Sequence, residues 1–100
     1  MNKKLIELIE AVQEKNLTKT ELESYRDNMT LLYARYMLDL ADLEKVEARY
    51  FLDKPEKSDV ATKRAWRGTP DGQLLIQRSR EAKALEKVLS SVKSRIFAQY

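Results

Sequence analysis

Apolar residues recur along this chain at intervals of three and four, and that period predicts helices. The first helix is expected over residues 2–15, with Leu5, Leu8 or Ile9, and Val12 on one face and Glu7, Glu10 and Glu14 on another. Asn16 supplies its stop. Thr18-Lys19-Thr20-Glu21 then reads as a capping box, in which hydroxyl and carboxyl groups each take a backbone amide of the other residue. Leu17 and Leu22 flank the box as a hydrophobic staple. A second helix is therefore expected over 19–52, about 50 Å long.

That helix has a seam at Leu22, Tyr25, Met29, Leu32, Tyr36, Leu40 or Leu43, Val46 and Tyr50. Its middle is broader than a seam. Over residues 31–43, LLYARYMLDLADL, only Arg35, Asp39 and Asp42 carry charge, on one narrow stripe where Arg35 and Asp39 have the spacing to pair. The remaining circumference calls for burial, more than one neighbouring helix can provide. Leu31, Leu32, Tyr33, Tyr36, Met37 and Leu40 are accordingly the candidate self-association residues.

The segment DKPEKS at 53–58 breaks the pattern. Pro55 disfavours helix at Lys54, and Ser58 is suited to cap a short third helix over 58–66. Gly68 is expected to end it, while Thr69 as N-cap and Pro70 in the first turn begin a fourth helix over 70–98. Leu75, Arg78, Ala82, Leu85, Leu89, Val92 and Ile96 form its inward stripe, about 44 Å long. The expected fold is all-α and a single domain: a short N-terminal helix and a long antiparallel helical hairpin. A homodimer would complete the bundle.

Composition narrows the chemistry. The 100 residues include no Cys and no His, which removes disulfides, thiolate sites, the commonest general base and the commonest transition-metal ligand. The acidic pairs Asp39/Asp42 and Glu44/Glu47 read as solvated faces, since a di-metal bundle site combines carboxylates with histidines. No catalytic residue, metal, cofactor or small-molecule substrate is expected. The turn Gly68-Thr69-Pro70-Asp71-Gly72 lacks the Gly-Lys-Ser/Thr ending of a phosphate loop, and Asp71 would repel an anion. The N-terminus turns acidic too early for a signal peptide, and no apolar run approaches the roughly 18 to 20 residues of a membrane span. A soluble protein of the cytoplasm, without membrane contact, is the expectation.

Charge is unevenly divided. Residues 1–56 hold 9 Lys and Arg against 12 Asp and Glu, whereas residues 57–100 hold 10 against 4. Complementary docking of the two halves is one reading. The other is nucleic-acid binding through Lys63, Arg64, Arg80, Lys83 and Lys87, although Glu81 and Glu86 interrupt the positive helix. Trp66, the only Trp, also has two readings. It either plugs the end of the hairpin or, with Arg64 and Arg67, anchors a protein partner.

Two family resemblances bear on these residues. Trp66-Arg67-Gly68 matches the tripeptide of the Trp-x-Gly family of small secreted helical hairpins. Here, however, it lies two-thirds along the chain, after the Pro55 break, and no Tyr-x-x-x-Asp/Glu follows the last helix. Over residues 33–97, the run YARYMLDLADLEKVEARYFLDKPEKSDVATKRA, a glycine-containing break and the run EAKALEKVLSSVKSRI resemble small helical proteins encoded in phage and prophage early regions. That resemblance implies a bacterial cytoplasmic setting and an accessory role. The resulting expectation is a non-enzymatic protein acting on a host or phage protein of DNA metabolism or defence.

Overall fold

The computed structural model describes residues 3–14, 16–53 and 56–99 and contains four helices among them. They are α1 (Lys3–Val12), α2 (Lys19–Asp53), α3 (Asp59–Gly68) and α4 (Pro70–Gln99). The fold is all-α: α4 packs along α2, α1 lies against both, and α3 closes the other end. The Cα trace is 57 Å long and 19 by 17 Å across, a rod with a narrow core.

Local chemistry sets the helix starts. Glu21 N–H donates to Thr18 Oγ1 at 3.1 Å, and Thr18 N–H donates to Glu21 Oε1 at 3.3 Å, which completes the capping box. Leu17 and Leu22 beside it are both buried, as a staple requires. Ser58 caps α3 by accepting the Ala61 amide at 3.1 Å. The Pro55 break and the expected ends of the first helix at Asn2 and Lys15 lie outside the described residues.

Two helix ends differ from expectation. Helix α1 stops at Val12, and its end is tied across the molecule: Arg95 on α4 donates to Val12 O and, at 3.0 Å, to Glu14 O just beyond the helix. Those carbonyls would otherwise be unpartnered at the helix end. Helix α3 continues past Trp66 to Gly68, with Thr69 as its C-cap.

One apolar cluster holds α1, α2 and α4 together, built from Leu5, Val12, Leu17, Leu22, Met29, Leu32, Tyr36, Ala82, Leu85, Leu89 and Val92. Tyr25, Tyr33, Leu40 and Ile96 flank it, half-buried. Full burial contributes about 1.5–3 kcal/mol per large aliphatic side chain, so this cluster is the main source of stability. Of the alternatives at the end of the α2 seam, Leu43 is buried and Leu40 half-buried, while Val46 is exposed. The α3–α4 end carries its own buried set, Leu43, Thr62 and Trp66.

Candidate interaction surfaces

The α3–α4 corner is closed by a dense set of local bonds. Thr69 Oγ1 donates to Trp66 O at 2.6 Å and accepts the Gly72 amide at 3.0 Å. The Thr69 amide reaches the same Trp66 carbonyl at 3.0 Å, Gln73 N–H donates to Thr69 O at 3.0 Å, and Gln73 Nε2 donates to Arg67 O. Thr69 thereby ends one helix and starts the next. A Cβ on Gly72 would lie 1.9 Å from Trp66 O, so only glycine fits where the first turn of α4 meets the end of α3. Gly68 has open space around the corresponding position.

Trp66 is 3% exposed, with its ring centroid 5.3 Å from that of Tyr50 on α2. This corrects its assignment as a partner-facing anchor. The indole is the internal contact that fixes α3 on α2, because a large aromatic gains more by filling that corner than by standing in water. Arg64 and Arg67 do reach solvent.

A buried polar group interrupts the α2–α4 seam. Tyr36 Oη donates to Glu81 Oε2, and Arg78 Nη1 lies 3.5 Å from the same oxygen. The Arg78 guanidinium also sits 5.9 Å from the Tyr36 ring centroid. Glu81, which by sequence interrupts the positive helix, is only 2% exposed and lies inside the seam. Spacing offered a signal: from Arg78 to Leu85, the 3-4 repeat can pass through Glu81 as well as Ala82. Beside this group is an open cleft of about 210 Å³, lined by Lys4, Leu32, Arg35, Tyr36, Asp39 and Arg78.

The candidate self-association residues separate into two groups. Leu32 and Tyr36 belong to the internal core, which corrects them to intramolecular roles, while Tyr33 and Leu40 pack against it half-buried. Leu31 and Met37 face outward, 66% and 38% exposed. Leu38, absent from the candidate set, is 69% exposed.

With Leu31 and Leu38, the exposed Ala34, Ala41, Ala48 and Leu52 form a second 3-4 stripe, broken only by Lys45. At 100° per residue, this stripe lies on the side of α2 opposite the Leu22, Met29 and Tyr36 seam. The three packed helices therefore leave it uncovered. Sequence reasoning missed it because the mid-helix apolar surface was read as one broad area, although the spacing was visible.

Lys63, Arg64, Arg80, Lys83 and Lys87 are all exposed, and the last three share one stripe of α4. Among the described residues, no three acidic side chains converge as metal ligands, and no helix is long and apolar enough to cross a membrane. Comparison with known proteins finds no matching family model, curated protein or solved structure.

Proposed function

We propose that this chain is a non-enzymatic accessory protein that acts by protein–protein association, with the outer face of α2 as its principal contact surface. One observation carries the reading. Leu31 and Leu38, two large aliphatic side chains one heptad apart, stay about two-thirds exposed in a molecule whose other seam is well buried. Contiguous apolar surface of this kind marks interaction sites. Its phage or prophage setting in the bacterial cytoplasm, and a target in host or phage DNA metabolism or defence, rest on the sequence resemblance alone. Exposed Arg64 and Arg67 at the corner add charged contacts for such a target.

The test is capture by the tagged chain, from bacterial lysate and from a pool of untagged copies, with wild type and the Leu31→Lys/Leu38→Lys variant compared. Loss of capture with unchanged helicity is the expected result. Capture of nothing, or capture indifferent to both substitutions, overturns the reading.

A second reading is favoured by the solvent-facing cations Lys63, Arg64, Arg80, Lys83 and Lys87. It is binding of a nucleic-acid backbone through the basic half. It requires retention of DNA or RNA at low salt, falling steeply with added salt and further on changing Arg80, Lys83 and Lys87 to Glu. Absence of retention at low salt removes it.

A further inference from the structure

Resting on the reading of the α2 outer face as an association surface, we infer that its occupant is a second copy of this chain, docked antiparallel in one register. In that register Leu38 faces the partner's Ala41 and Leu31 faces the partner's Ala48. The two-fold axis passes between residues 39 and 40, and the contact runs from Leu31 to Ala48, about 26 Å of helix.

Three features of the exposed stripe select this arrangement. The first is size. Leu31 and Leu38 occupy one heptad position, while Ala34, Ala41 and Ala48 occupy the other. Antiparallel pairing sets a large residue against a small one in each apolar layer, so the layers are even and the backbones can approach closely. Parallel pairing would set Leu on Leu and Ala on Ala, alternately crowded and gapped.

The second is Lys45, which shares the Leu position of the repeat. A parallel dimer would place it against its own copy. The antiparallel dimer sets it against the partner's Ala34, where its aliphatic stem covers the methyl group and its ammonium reaches water.

The third is charge beside the stripe. Arg35, Asp42 and Arg49 are exposed and fall at the same flanking heptad position. In the proposed register Arg35 lies beside the partner's Asp42 and Asp42 beside the partner's Arg35, so the favourable contact occurs twice. A slip of one heptad one way brings Asp42 to the partner's Asp42 and Arg35 to the partner's Arg49. A slip the other way brings Arg35 to the partner's Arg35. Flanking charges of this kind set orientation and register in helix pairs.

The experiment measures mass against concentration by light scattering and sedimentation, with charge swaps and targeted cross-links. Wild type is expected to be a dimer. Arg35→Asp alone and Asp42→Arg alone are each expected to weaken it about tenfold or more, because each creates two like-charge contacts. The double exchange Arg35→Asp/Asp42→Arg is expected to restore it. Since the natural chain has no Cys, a mixture of Leu38→Cys and Ala41→Cys proteins is expected to form the mixed disulfide in preference to either like pair. A monomer at all concentrations, a dimer indifferent to the single swaps, no restoration by the double exchange, or preferential cross-linking of Leu38→Cys to itself overturns the proposal. A monomeric wild type whose lysate capture still disappears with Leu31→Lys/Leu38→Lys overturns the dimer while leaving the association reading in place.

Discussion

The α3–α4 corner and the outer face of α2 treat their apolar and polar groups in opposite ways. At the corner, a single carbonyl, Trp66 O, accepts from both the amide and the hydroxyl of Thr69, and a buried indole fills the space behind it. Along the outer face, leucines and alanines stand largely in water, on the side of α2 away from its packed seam. The corner therefore contributes to the stability of the single chain beyond its main core, and the outer face contributes little until something binds it. Substitutions should reveal the contrast as a steep gradient in stability from one region to the other.

The largest loss is expected from Trp66→Ala, about 3–5 kcal/mol in denaturant unfolding, the usual range for emptying a large buried aromatic site. A loss below about 1 kcal/mol would show that the corner adds no more to stability than an exposed site. Gly72→Ala is expected next, at about 3 kcal/mol, because a methyl group 1.9 Å from Trp66 O forces the two helices apart. Gly68→Ala is its internal control. With open space around Gly68, the added methyl should stabilise by about 0.5 kcal/mol through helix propensity and a less flexible unfolded chain. Opposite signs at two glycines four residues apart are the sharpest available check on the corner.

Between the two regions, Tyr36 and Glu81 place polar chemistry inside the α2–α4 seam. Tyr36→Phe preserves the packing but removes the hydroxyl that donates to Glu81 Oε2. A loss of about 1–3 kcal/mol is expected, the range for leaving a buried polar group short of a partner. A change within about 0.5 kcal/mol would mean that the carboxyl is served equally well without Tyr36.

These contrasts follow the boundary between local and tertiary information. Thr18, Glu21, Ser58 and Thr69 were legible as caps because a cap is decided within four residues. The paired long helices were legible from the 3-4 repeat. Which glycine mattered was not: Gly68 looked like the helix stop, but the constraint on Gly72 comes from a carbonyl whose position depends on how α3 meets α4. Glu81 was hidden for a related reason. Charge argues for exposure, and only its position opposite Tyr36 on another helix overrides that argument. In the middle of α2, apolar residues on most of the circumference left two equivalent seams. Packing against α4 and α1 selected the one through Leu32 and Tyr36 and left Leu31 and Leu38 outside.

The smallest effect is expected at Leu38, and its dependence on concentration carries the information. In an isolated chain, Leu38→Lys changes a side chain that is already 69% exposed, so unfolding should shift by no more than about 0.5 kcal/mol. Association changes that, because a folded chain held by a second copy is stabilised by mass action while the unfolded chain is not. Wild type should therefore melt at a rising temperature as concentration increases, whereas Leu38→Lys should melt at one temperature throughout. The two curves should meet at high dilution. Curves that remain apart at the lowest concentration would show that Leu38 supports the single chain, and the distinction between a self-sufficient corner and an incomplete face would fail at its most exposed residue.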